Sequence, residues 1–141
     1  PEMDINDIKN LDNKMKVNNS KIGTLAAKIS NSEIYTNKDI VKVKLNESFE
    51  KNLFPFAVNF MRMTKDQKNI FHHLGIYSYE VETLKKFISF DQSKNELKNS
   101  LEQLRALDNN ININVGLASN SPIGIDTKED YLAMKKIMEY K

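Results

Sequence analysis

The apolar residues of this chain change period repeatedly along its length, and that alternation constrains the fold more than any other feature. Ile40 to Leu45 alternates, with Val41, Val43 and Leu45 on one side and Lys42 and Lys44 on the other, as a strand with a solvent face does. His73 to Tyr79 (HLGIYSY) is β-branched and aromatic around one glycine and is the best strand in the chain. Ile111, Ile113 and Val115 alternate with asparagines as another. Ile22 to Ile29 is short, apolar and bounded by turn residues, which suits a buried strand. Val58 to Met63 is a further strand, entered through Phe54-Pro55-Phe56, where proline forces a bend.

Elsewhere the spacing becomes helical. Asp4 to Lys16 places Ile5, Ile8, Leu11 and Met15 on one face, and Glu80 to Phe90 does the same with Val81, Leu84, Phe87 and Ile88. Glu96 to Leu107 reads as one helix carrying Leu97, Leu101, Leu104 and Leu107. Thr127-Lys128-Glu129-Asp130 resembles a capping box and opens a closing helix with Tyr131, Met134, Ile137 and Met138. Asn31 to Lys38 and Thr64 to Asn69 read as loops. Strands alternating with helices predict an α/β fold, a mixed sheet covered by helices, as a single unit over residues 1–141.

The 141 residues include no cysteine, so neither disulfides nor thiolate metal sites support the fold, and a reducing cytoplasm suits such a chain. Its 21 basic and 19 acidic residues are interleaved, and the net charge is only +2. A nucleic-acid binder would carry a concentrated basic stripe, which is missing. No apolar run is long enough to span a bilayer and no signal-peptide pattern opens the chain.

Searches for self-sufficient catalytic motifs fail. Gly23, Gly75, Gly116 and Gly124 are scattered and form no phosphate-cradling loop, and no serine sits in a nucleophile elbow. His72 and His73 are neighbours on a strand, so their rings point to opposite faces and cannot chelate one metal. By itself His73 reads as a structural residue at a strand start, Tyr77 as cross-strand packing and Arg62 as a surface charge. Glu102 reads as a solvated residue opposite the leucine face, and Asp126 as a carboxylate favoured by a helix start.

Three blocks change that reading: His73-Leu74-Gly75-Ile76-Tyr77-Ser78-Tyr79, Leu101-Glu102-Gln103-Leu104-Arg105-Ala106-Leu107, and Gly124-Ile125-Asp126-Thr127-Lys128-Glu129-Asp130. In this order and close to this spacing they resemble the 3-deoxy-manno-octulosonate (Kdo) cytidylyltransferase family. Gly23-Thr24-Leu25-Ala26, Val41-Lys42-Val43 and Ala57-Val58-Asn59-Phe60-Met61-Arg62 extend the likeness over nearly the whole chain. The resemblance implies the carboxyl-terminal portion of a nucleotide-diphospho-sugar-transferase-like (Rossmann-like) fold. It implies partners too: CTP, an eight-carbon acidic sugar such as Kdo, and a second copy in a homodimer, in lipopolysaccharide synthesis. In such enzymes the anomeric hydroxyl attacks the α-phosphate and pyrophosphate leaves, with magnesium neutralising charge. By the same resemblance His73 and Tyr77 hold the sugar acid, Arg62 pairs its carboxylate, Glu102 and Gln103 bond its hydroxyls, and Asp126 is one of two aspartate ligands to magnesium.

The sequence also departs from the family. Met61 stands for the serine of a Phe-Ser-Arg segment, no Ile-Pro follows Arg62, Glu80 replaces an arginine, and Asn99 replaces a carboxylate. The family's Arg/Lys-rich nucleotide loop has no counterpart here, and Pro1-Glu2-Met3-Asp4 resembles the residues just after a Gly-Asp-Glu run that carries the other metal aspartate. The resemblance therefore implies a chain that is inactive alone. The competing expectation is a non-catalytic assembly or binding module, half of a split or truncated enzyme.

Overall fold

The structure, a computed structural model, describes residues 3–121 and 128–139. Helix α1 (Ile5–Val17) leads into strand β1 (Ile22–Ala27), and strands β2 (Lys42–Leu45), β3 (Ala57–Met61) and β4 (Ile70–Tyr79) follow. Three short helices, α2 (Val81–Ser89), α3 (Lys94–Asn99) and α4 (Leu104–Asp108), precede β5 (Ile113–Leu117) and the closing α5 (Lys128–Glu139). The strands form one mixed sheet in the order β3-β2-β4-β1-β5. Only β1 and β5 run parallel; β4 is antiparallel to both of its neighbours, β1 and β2.

Helices lie on both faces, which explains why β1 is buried at all six positions and carries no polar alternation. On one face Ile22, Ala26, Val43, Phe60, Ile113 and Val115 pack against Phe87 of α2, Leu101, and Leu104 and Ala106 of α4. On the other, Leu25, Ala27 and Leu74 meet Leu11 and Met15 of α1. Asp4 caps α1 by accepting from the Asn6 N–H. Asp7, buried in its first turn, accepts from the Ser119 N–H at 3.0 Å and its hydroxyl at 2.9 Å, tying α1 to the chain that leaves β5. The free edge of β5 is covered where Val115 N–H donates to Pro55 carbonyl at 2.8 Å and Asn114 Nδ2 donates to Phe54 carbonyl at 2.8 Å.

The mixed sheet covered by helices and its five strands lie where the apolar pattern placed them, give or take a few residues; β4 starts three residues earlier, so His73 sits inside it rather than at its start. Three expectations are corrected. Lys42 does not face solvent: it is fully buried, because three backbone carbonyls converge on its ammonium. Glu96 to Leu107 is not one helix. Ser100 turns left-handed (φ 52°), ending α3, and α4 begins only at Leu104. The Arg62 guanidinium takes the Asn99 and Ser100 carbonyls just where the helix would have run on, leaving Leu97 60% exposed while Leu101 and Leu104 enter the core. Within Asn31 to Lys38, finally, Ser32–Tyr35 forms one 3-10 turn. Val81 and Ile88 of α2 stay exposed while Phe87 alone of its apolar row is buried, and only Met134 of Tyr131, Met134 and Met138 in α5 is buried. The expected cap at Thr127 lies outside the described residues.

Gly23 sets how closely α1 approaches the sheet: a Cβ there would stand 2.5 Å from Met15 Sδ and 3.0 Å from Leu11 Cδ1. Gly23→Val is expected to destabilise the fold by about 1–3 kcal/mol through overpacking. Met15→Ala in the same molecule should recover part of that loss in urea titrations, whereas Met15→Ala alone should destabilise.

Candidate functional site

The middle strand β4 brings the sequence-marked residues together through an irregularity. Thr24 of β1 pairs with Tyr77, but the next residue, Leu25, pairs with Leu74, so Gly75 and Ile76 are extra in β4. Four residues of straight strand would separate His73 and Tyr77 by about 13 Å. The bend leaves their ring centres 5.5 Å apart. Phe60 of β3 meets the His73 ring edge-on at 5.0 Å. The row continues through Tyr79 to Phe87, with 6.0 Å between each pair of ring centres.

The Thr24 hydroxyl, itself fully buried, holds this bend. It donates to the Ile76 carbonyl at 2.6 Å and lies 3.0 Å from His73 Nε2. A hydroxyl has one proton, so with that proton on Ile76 the oxygen accepts from Nε2–H. This assigns the Nε2-protonated tautomer and leaves Nδ1 as an acceptor. Burial, with His72 nearby, depresses the His73 pKa to about 3, so the ring is neutral. His72 turns to the opposite side, where its Nδ1 lies 2.6 Å from Ser121 Oγ, as strand alternation requires.

Tyr77 and Tyr79 sit beside the α3–α4 junction. Burial pushes the phenol of Tyr77 well up, and the charges of Tyr79 and Glu102 add to it. Burial likewise raises Tyr79, again with Glu102 adding. The Glu102 carboxylate is exposed and lies 3.8 Å from Arg105 Nη2. Gln103 is buried at the start of α4. Arg62 enters from the end of β3 and spends three N–H groups on backbone carbonyls: Nε on Asn99 at 3.1 Å, Nη2 on Ser100 at 3.0 Å and Nη1 on Lys38 at 3.1 Å. Two of its five guanidinium N–H groups take no part in these bonds. The structure thus sets His73 against Tyr77, Tyr77 within reach of the Glu102 charge, and the Arg62 side chain on the Asn99 and Ser100 carbonyls of the same junction, with Gln103 buried next to Glu102 in sequence. Asp126 lies outside the described residues, and among those described no three His, Cys, Asp or Glu side chains are close enough to hold a metal.

Sequence reasoning overlooked the ion pair that fixes this junction. Glu96 and Arg105 are nearly buried, with Arg105 Nε donating to Glu96 Oε2 at 2.8 Å and Nη2 to Oε1. Arg105 also lies 4.9 Å from the centre of the Phe87 ring. These bonds from Arg105, helped by the Ser93 N–H, hold the Glu96 carboxyl down to about 2. The signal was legible, because Ser93-Lys94-Asn95-Glu96 is a full capping box and the structure forms it.

His73 gives a pH test. The unfolded imidazole takes a proton below about pH 6.5 whereas the folded one does not until about 3, so stability is complete above 6.5 and falls with pH between those values. From pH 7.5 to 5.0, where carboxylates are still ionised, His73 should cost about 2 kcal/mol of unfolding free energy. In His73→Phe, denaturant titrations at the two pH values should show that much less difference.

No family model matches the chain. Among curated proteins, the 3-deoxy-manno-octulosonate cytidylyltransferase of Thermodesulfovibrio yellowstonii is 38% identical over 130 residues, covering 88% of this chain and 51% of that protein. That of Bartonella henselae is 38% identical over 119 residues, covering 83% of this chain and 48% of the relative. Among solved structures, a CMP:2-keto-3-deoxy-manno-octonic acid synthetase complexed with CTP superposes with a TM-score of 0.81 at 26% identity, covering 96% of this chain and 56% of that one. The chain spans about half the length of the curated relatives it matches. By sequence and by fold, over that half, it is similar to the 3-deoxy-manno-octulosonate cytidylyltransferases.

Proposed function

We propose that this chain forms the sugar-binding part of an enzyme that couples CTP to Kdo or a related acidic sugar, giving a CMP-sugar and pyrophosphate. The observation that supports the reading is the approach of His73 and Tyr77 from β4 to Glu102 of the α3–α4 junction, with Gln103 next to it in sequence, in a chain similar to cytidylyltransferases. The sugar's anomeric hydroxyl forms the new bond to the α-phosphorus of CTP as the bond to pyrophosphate breaks. The residues here bind and orient rather than react. Neutral His73 accepts from a sugar hydroxyl at Nδ1, the Tyr77 phenol stays protonated as a donor, and Glu102 and Gln103 bond further hydroxyls. The two remaining N–H groups of Arg62 face the sugar carboxylate.

Magnesium, held in part by Asp126, a homodimer and a cytoplasmic setting belong to the same proposal. The metal would neutralise phosphate charge. Exposed Val81 and Ile88 on α2 supply apolar surface of the kind a second copy covers.

The native-length gene product, given CTP, magnesium and Kdo, should release pyrophosphate and form a CMP-sugar. Glu102→Ala should raise the KM for the sugar about 10-fold, the loss of roughly one charge-assisted hydrogen bond, and leave the KM for CTP unchanged. Absence of product with Kdo and with its amino analogue would overturn the reading.

A further inference from the structure

Lys42 is the largest fully buried side chain of the described residues, and no carboxylate is among its hydrogen-bond partners. An ammonium carries three N–H groups. Here they go to the carbonyls of Asn37 at 2.5 Å, Ile40 at 2.6 Å and Arg62. Burying a charge away from water is costly unless its donors are satisfied, so this geometry must be well determined by its surroundings. Burial first, and then Arg62, lower the pKa of Lys42, as expected where two cations share one neighbourhood.

The carbonyl of Arg62 belongs to the residue whose side chain grips Lys38, Asn99 and Ser100. Six backbone carbonyls are thus drawn onto two cations in series. Lys42 fixes the turn at residues 37–40 and the backbone of Arg62, and Arg62 fixes the same turn and the left-handed end of α3. Two residues beyond Ser100 comes Glu102, then Gln103. We propose that Lys42 is a positioning residue for sugar binding, acting through Arg62 on the α3–α4 junction that presents Glu102 and Gln103. This rests on the reading that Glu102 and Gln103 meet the sugar. A displacement of about 1 Å in a group that orients a reactant can cost orders of magnitude in rate, so a clasp this far from the ligand can still govern its affinity.

The test uses the native-length enzyme with Kdo and CTP as probes. Lys42→Met keeps the aliphatic stem and removes the ammonium; Lys42→Gln keeps two donors and serves if Lys42→Met does not fold. In the folded variant the KM for Kdo should rise about 10-fold or more while the KM for CTP stays within about twofold, a split that general destabilisation does not produce. Because Lys42 acts through the junction, adding Glu102→Ala should raise the Kdo KM no further than the worse single variant does. Equal rises in both KM values, an unchanged Kdo KM in a folded variant, or full additivity with Glu102→Ala would each overturn the proposal. If Glu102→Ala and Gln103→Ala themselves leave the Kdo KM unchanged, the sugar-site reading fails first and the proposal falls with it. Amine acetylation followed by mass spectrometry should find Lys42 unmodified in the folded protein; labelling at the rate of exposed lysines would also overturn the clasp.

Discussion

The buried hydroxyl of Thr24 at the irregularity between β1 and β4 is the contact on which the rest of the site depends. β4 is the middle strand and pairs on both sides, so a bend in it is transmitted to the whole sheet. Two extra residues would leave a carbonyl pointing into the core; Thr24 satisfies that carbonyl and, with the same oxygen, takes the proton of His73. The bond therefore does two things at once. It stabilises a bulge and fixes the tautomer of a ring whose neutrality follows from burial. A strand without this bend would set the His73 and Tyr77 rings too far apart to meet.

Around that strand the structure handles cations in two ways. Arg105 meets the Glu96 carboxylate in a forked pair against Phe87, an arrangement in which charge neutralises charge. Lys42 and Arg62 are instead solvated by backbone, each taking three carbonyls. Between these last two, donor geometry divides the work: the compact ammonium takes three converging oxygens, whereas the planar guanidinium spans separated ones. Both arrangements end at the α3–α4 junction, which has little helical length of its own and so depends on these contacts for its position.

That dependence connects fold to function. α3 and α4 have six and five residues, too few to be stable by propensity, yet the junction between them carries Glu102 and Gln103. A rigid sheet supplies His73 and Tyr77, and the cationic contacts bring the short helices to it. The likeness to cytidylyltransferases runs over about half their length and takes in both the sheet and this junction.

Periodicity by itself determined the element types, because the faces that the core buries are written in the order of apolar residues. Ile22 to Ile29 read as a buried strand, and β1 is one over Ile22–Ala27; of the apolar face expected on α1, Leu11 and Met15 meet the sheet while Ile5 and Ile8 stay exposed. The blocks around His73, Leu101 and Gly124 were enough to mark the family. Tertiary structure decided what periodicity cannot encode. An alternating lysine looks the same whether it meets water or three carbonyls, so Lys42 read as exposed, although the turn just before it and Arg62, 20 residues on, converge on its ammonium. Leucines at helical spacing from Leu97 to Leu107 read as continuous, because the carbonyl partner that ends α3 at Ser100 comes from Arg62, 38 residues away in sequence. The bulge in β4 was hidden for the same reason: register belongs to a pair of strands, and no single strand carries it.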